Sequence, residues 1–288
     1  MCSFLGGVPG EQASPHRVAP SHRGSKSETL DSLGMPRIAL LASLGVAAAA
    51  AESIIGGWGE FQYEYLPDRL QPPAGADMVN CHGLVTDAAG NILLTYENPN
   101  NASDAHCLIR WAPDGTGAEF LDGGGAALCA GTPHGLAIVA EGGGEFLYHA
   151  NNEQKLTKTT LDGTIVWQVD GNFGQNASDD YRPTWFAAPP GGSELAYLCD
   201  GYGSNKVYVF NRTDGRYTGR SYGGAGGRDQ HGAFSTNHGC TYDARSGEVA
   251  VADRANSRLE FFGYDDADPD VFDYRRASGE CSSPRRAL

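Results

Sequence analysis

YRPTWFAAPPGGSELAYLCDGYGSNKVYVFNRTDGRYTGRSYGGAGGRDQHGAFSTNHGCTYDARSGEVAVADRANSRLEFF, from Tyr181 to Phe262, decides the fold. It states one pattern twice. A polar turn (Pro183-Thr184, then Asn237-His238) opens a short apolar strand. A Gly-containing turn leads to a second strand (Leu195–Cys199, then Val249–Ala252). An Asp-led polar loop follows (Asp200 to Lys206, then Asp253 to Arg258). A third strand closes each copy (Val207–Phe210, then Leu259–Phe262). Three or four short strands per repeat is the pattern of a propeller blade.

Two further copies precede this pair. Asn80-Cys-His-Gly-Leu-Val-Thr-Asp87 is joined by Ala88-Ala-Gly-Asn91 to Ile92–Tyr96, where Gly and Asn supply a tight hairpin turn. A polar insertion from Glu97 to Ala105 leads to Cys107–Trp111, and Ala118–Leu121 forms the outer strand. The next copy runs Thr132–Ile138, Glu145–Tyr148, a loop from His149 to Gln154, Lys155–Thr159 and Ile165–Val169. The copies are headed by His82, His134, Thr184 and His238, spaced by 52, 50 and 54 residues. That regularity marks an array of equivalent units.

Composition agrees. Forty glycines and 19% charged residues in a 288-residue chain fit many short strands joined by Gly-rich turns. A formal net charge of −14 excludes nucleic acid and anionic membrane surfaces, where Lys and Arg must dominate. It is compatible with a cationic ligand or a divalent ion.

Residues 1–34 are rich in Ser, Gly, Pro and basic side chains without periodicity, and read as disordered or as an over-long gene model. Residues 35–52, from Met35-Pro-Arg through a short apolar run into alanines, have the form of a secretory signal and are too short for a comfortable membrane span. The array occupies 56–266, and 267–288 shows no strand pattern and reads as a disordered tail. The expected location is the secretory lumen or outside the cell, with membrane association only through an uncleaved signal. Sequons at Asn101, Asn176 and Asn211 agree, making the chain a glycoprotein candidate. So do six cysteines after the signal, whose 15 pairings stay open. Cys199 and Cys240 sit in strand text and read as buried thiols. Ahead of the first copy, Phe61, Tyr63 and Tyr65 alternate with polar residues as a strand with one buried face, suited to completing the last blade of a closed propeller.

Val251-Ala-Asp-Arg-Ala-Asn-Ser-Arg-Leu-Glu-Phe-Phe262, and Asp200-Gly-Tyr-Gly-Ser-Asn-Lys206 with Val207–Phe210, resemble NHL repeats. Over roughly residues 60 to 265 the chain is similar to the peptidyl-hydroxyglycine amidating lyase, the second half of the peptide-amidating enzyme. The resemblance implies an all-β, NHL-type propeller of a six-bladed family, about four blades of which are recognisable here. It implies an axial zinc ion held by three histidines, and a calcium ion deeper in the channel. His134 and His238 match zinc ligands, Tyr202 the catalytic tyrosine, and Arg254 an active-site arginine. The family takes its third histidine from a late blade; here His82 offers a third imidazole. Where the family has another arginine, this chain has Tyr96-Glu-Asn-Pro-Asn-Asn101. Three neutral imidazoles leave a zinc position open for substrate. Tyr202, activated by zinc or Arg254, is then the candidate base for C–N cleavage to an amide and glyoxylate, with Arg254 holding the substrate carboxylate. The alternative is a non-catalytic extracellular propeller binding peptide, glycan or protein on its face. A peptide or small molecule in the axial channel and a monomeric state are expected on the first reading.

Beside those candidates stand blander assignments. His106, His149 and His231 read as solvated loop residues, Asp200 and Asp253 as acceptors for amides of their own loops, and Trp167 and Trp185 as core between blades.

Overall fold

The computed structural model describes residues 55–99, 106–171, 181–191, 193–264 and 272–278. Residues 1–34, the signal-like segment and the sequons at Asn101 and Asn176 lie outside them. Strands β1 (Ile55–Trp58) and β2 (Phe61–Glu64) form a separate hairpin. The rest is four antiparallel four-stranded meanders. Blade 1 is β3 (Asn80–Thr86), β4 (Ile92–Glu97), β5 (Leu108–Trp111) and β6 (Glu119–Phe120). A one-turn helix, α1 (Gly125–Cys129), leads to blade 2: β7 (Pro133–Glu141), β8 (Gly144–Asn151), β9 (Lys155–Thr159) and β10 (Ile165–Asp170). Blade 3 is β11 (Trp185–Ala187), β12 (Leu195–Cys199), β13 (Lys206–Asn211) and β14 (Tyr217–Gly223). Blade 4 is β15 (Asn237–Asp243), β16 (Glu248–Asp253), β17 (Arg258–Tyr264) and β18 (Phe272–Ser278).

The first strand of each blade packs against the first strand of the next, β3 on β7, β7 on β11, β11 on β15. This is an all-β propeller arrangement with four blades.

A blade is a sheet whose two faces must both be covered, so the core lies between blades. Leu93, Leu108, Leu136 and Leu147 fill the space between blades 1 and 2. Tyr148, Leu156, Phe186, Leu198 and Tyr208 fill the next, and Tyr197, Val207, Phe234, Val249 and Val251 the third. Each such side chain contributes about 1.5–3 kcal/mol on burial. Trp167 and Trp185 pack against these clusters as expected. Within blade 2, Lys158 donates to Glu141 at 2.6 Å, and Tyr148 donates to the same carboxylate; across the second junction Lys158 donates to the Arg212 carbonyl at 3.4 Å. The Arg212 carbonyl accepts from Trp167 Nε1 at 3.0 Å, and its guanidinium donates to Pro189 O at 2.7 Å.

Three expectations are corrected. Phe61, Tyr63 and Tyr65 do not have a buried face: they are exposed, and their strand pairs with β1, a local partner two residues away across the turn. Strand β18 falls within the stretch 267–288 read as strandless. It is a polar outer strand, FDYRRAS, whose hydrogen bonds to β17 and the stacking of Arg276 over Phe261 at 3.6 Å replace the apolar signal. His149 is not in a loop but inside β8, where it is buried against Thr159 Oγ1 at 2.9 Å.

One pairing of cysteines is resolved: Cys107 at the edge of β5 is bonded to Cys129 at the end of α1, with Cα atoms 5.3 Å apart. Cys199 and Cys240 are buried thiols, as read.

Candidate functional site

His82, His134 and His238 occupy the same place in three blades, and the backbone makes them equivalent. In each first strand the pairing register slips by one residue at the histidine: between Cys81 and Gly83, between Pro133 and Gly135, and between Asn237 and Gly239. Such a bulge turns its extra residue out of the ladder and re-aims its side chain. The glycine after the histidine has its own reason. A Cβ on Gly83 would lie 2.3 Å from Leu136 Cβ, and one on Gly135 would lie 2.5 Å from the Thr184 carbonyl oxygen. Only glycine lets neighbouring first strands approach this closely. In blades 1 and 2 the dipeptide His-Gly therefore encodes a bulge and a close strand contact together, and in blade 4 the bulge alone.

The bulges bring the rings to one point. His82 stacks on His134 with ring centres 4.0 Å apart and planes 13° from parallel. His238 meets His134 edge-on at 4.8 Å. The second-to-third-strand loops of blades 3 and 4 add Tyr202 and Arg254. Tyr202 OH lies 2.9 Å from His238 Nε2, and Arg254 Nη1 donates to the same oxygen at 3.3 Å. All five residues nominated from the sequence thus converge, drawn from four blades.

The loops are held by the two aspartates that lead them. Asp200 accepts from Arg182 N at 2.6 Å and Ser204 N at 2.8 Å. Asp253 accepts from Ser235 N at 2.7 Å and from Arg258 Nε at 2.8 Å. Asp200 takes a backbone amide of its own loop, as expected, whereas the own-loop partners of Asp253 are the side chains of Asn256 and Arg258; both also take an amide just ahead of the first strand. That second set ties Tyr202 and Arg254 to the strands carrying the histidines. Arg258 is spent on Asp253 and Glu260, whereas the exposed Arg254 guanidinium makes no carboxylate pair among the described residues.

His134 is the best determined of the imidazoles. It is buried, and its Nδ1 lies 2.7 Å from the Thr184 carbonyl. A carbonyl only accepts, so Nδ1 carries the proton and Nε2 keeps a lone pair. That Nε2 has no hydrogen-bond partner among the described residues. Burial, then the neighbouring His82 and His238, push its pKa down to about 3. Burial, then Arg254 and His82, lower His238 to about 4. His82 is lowered by burial, against the opposing charge of Glu97. All three rings are therefore held in the neutral, metal-competent form.

The donor chemistry fits zinc: three neutral imidazoles, one with an orphaned buried lone pair. The ring placement does not yet make a coordination sphere. Rings radiating from one tetrahedral ion fan apart, but His82 and His134 are stacked, and His238 Nε2 faces the Tyr202 hydroxyl. Among the described residues no group of three or more His, Cys, Asp or Glu side chains is arranged to hold an ion as it stands. Closing three ligands on one ion requires His82 to swing off His134 and His238 to release the phenol.

A cleft of about 480 Å³ opens between blades 1 and 2, lined by Glu97, Asn98, Thr132, Glu153 and Lys155 among others. It contains none of the histidines; Glu97, which acts on His82 electrostatically, is its link to them. The remaining histidines stand apart. His106 pairs with Asp122 at 2.5 Å, and His231 is half-exposed but bound to the buried Glu260 at 3.0 Å rather than simply solvated.

Sequence reading missed the part of Thr184. It heads the third unit where the others have histidine, and its carbonyl fixes the His134 tautomer. The break in the His-Gly series was the available signal.

No family model matches the chain, and no curated protein matches it. Among solved structures it is similar to a nidogen/laminin complex, with TM-score 0.44 and 16% identity over 67% of this chain and 64% of that one. It is also similar to a protein from Lactobacillus plantarum, with TM-score 0.45 and 16% identity over 74% of this chain and 59% of that one. The chain thus spans less than two thirds of the length of either.

Proposed function

We propose that this chain is an NHL-type propeller acting as a zinc-dependent lyase on peptides ending in α-hydroxyglycine, releasing the peptide amide and glyoxylate. One observation carries the reading: Tyr202, Arg254 and three neutral imidazoles, far apart in sequence, meet at one point. His134, His238 and His82 are the residues that would hold zinc, which when bound supplies Lewis acidity to the reacting hydroxyl.

The chain's own groups account for the rest. The unpaired Arg254 guanidinium is suited to the substrate carboxylate. Tyr202 is the group within reach to exchange a proton with the substrate hydroxyl, since its oxygen already serves Arg254 and His238. The reaction moves one proton from the hydroxyl oxygen to the departing nitrogen. The C–N pair leaves with the nitrogen, and the carbon becomes the aldehyde of glyoxylate. No net proton is consumed, so a single residue can take the proton and return it. A secreted, disulfide-bearing monomer, glycosylated at Asn211, accompanies this reading; the Cys107–Cys129 bond supports its compartment.

Two measurements on the purified protein test it: bound zinc by elemental analysis, and glyoxylate released from a hydroxyglycine-terminated peptide. One zinc per chain with glyoxylate release is expected, both reduced in His134→Ala. Neither zinc nor glyoxylate would remove the lyase reading and leave a propeller that binds ligands on its face.

A further inference from the structure

Cys199 closes β12 and Cys240 lies in β15, the first strand of the next blade. Both are buried in one apolar cluster with Tyr197, Val207, Val249 and Val251. Strand β12 packs against β15, and Cys240 Sγ lies 3.9 Å from the carbonyl of Tyr197, two residues before Cys199 on the same strand. Cys240 is also near enough to act on the Cys199 thiol, which burial first and Cys240 second push well above its ordinary pKa. Their places in the chain matter as much as their nearness. Cys199 precedes Tyr202 by three residues, Cys240 follows His238 by two, and the Tyr202 hydroxyl reaches His238 at 2.9 Å. The thiol pair and the phenol–imidazole pair thus span the same two blades, two or three residues apart along the chain.

We propose that Cys199 and Cys240 form a second, interblade disulfide that clasps blades 3 and 4 within three residues of Tyr202 and His238. The oxidant is a disulfide of low molecular weight or a protein disulfide. Cys240, at 7% exposure against 0% for Cys199, is the sulfur such an oxidant reaches first. Its thiolate attacks the oxidant's S–S bond, forming a mixed disulfide and releasing one thiolate. The thiolate of Cys199 then attacks the Cys240 sulfur, and the second thiolate leaves. Two thiols of the protein lose two protons and two electrons, and one disulfide is reduced to two thiols. The bond closes a loop of about 40 residues and so restrains the unfolded chain strongly.

The test treats the full-length protein with glutathione disulfide and maps unreduced proteolytic peptides by mass spectrometry. The expected product is a peptide joining Cys199 to Cys240, two hydrogens lighter than the sum of its parts, beside the Cys107–Cys129 peptide. The thermal midpoint should rise by several degrees, and neither the linked peptide nor the rise should occur in Cys240→Ala. Recovery of both residues as free thiols, as stable glutathione adducts, or joined to other cysteines would overturn the proposal. The mapping is done on the unsubstituted protein, so it does not depend on a variant folding.

Discussion

At the scale of single residues the site separates binding from support. Tyr202 is 39% exposed, and its hydroxyl bridges Arg254 and His238 without carrying any of the core. Tyr202→Phe should leave unfolding stability within about 0.5 kcal/mol of the parent, as surface changes do. On the proposed lyase reading, glyoxylate release should fall by about 10²–10⁴-fold, the range associated with losing a positioned acid or base. A variant that keeps full activity would remove Tyr202 from the chemistry. Arg254→Ala should act differently. If its guanidinium holds the substrate carboxylate, KM should rise and the defect should shrink for a substrate lacking that carboxylate. Equal loss on both substrates would place Arg254 in support of Tyr202 instead. Tyr202 and Arg254 could be nominated from the sequence because each stands in an Asp-led polar loop at the end of a second strand. The orphaned Nε2 of His134 could not, because it depends on a carbonyl contributed by another blade.

Elements explain why these residues arrive together. The strands of blades 3 and 4 were readable because apolar runs alternate with Gly- and Asp-led turns; β12 spans Leu195–Cys199, as the pattern predicts. Outer strand β18 was not readable, since a mostly exposed edge needs no apolar residues. Loop geometry was only half readable. Gln154, Asn205 and Ser257 stand one residue before the third strand of blades 2, 3 and 4, all with positive φ near 60°, yet only Asn is a residue type that commonly adopts it. The bulge glycines give the sharpest test at this scale. Gly135→Ala would drive a Cβ to 2.5 Å from the Thr184 carbonyl oxygen and 2.8 Å from Trp185 Cα, both backbone atoms that cannot rotate away. It should destabilise the protein by about 1–3 kcal/mol, the usual penalty of overpacking. Gly239→Ala, at the equivalent position of blade 4, meets only Ala252 Cβ at 4.0 Å and should change stability little. Urea midpoints of the pair check this. Equal effects would mean that strand approach is not what glycine serves at Gly135.

For the whole molecule, buried imidazoles predict the direction of its response to acid. His149 is pushed down to about 3 by burial within β8, His134 to about 3 and His238 to about 4. In the unfolded chain each returns to its ordinary value near 6.5. Between that value and about 3 to 4 the unfolded state binds protons that the fold refuses, so stability rises with pH across the window. It is fully present above about pH 6.5 and is lost as pH falls, at up to about 1.4 kcal/mol per pH unit for each refused proton. His149 isolates the effect, because it lies in blade 2 outside the candidate site and its shift has burial as its sole cause. His149→Leu leaves the Thr159 hydroxyl without this partner, so its absolute stability is not the informative quantity. The slope is. Unfolding free energy measured from about pH 6 to about pH 4.5 should fall less steeply in the variant, by close to one proton's worth. Parallel slopes would show that His149 takes up its proton without unfolding, and would remove it from the acid sensitivity of the fold.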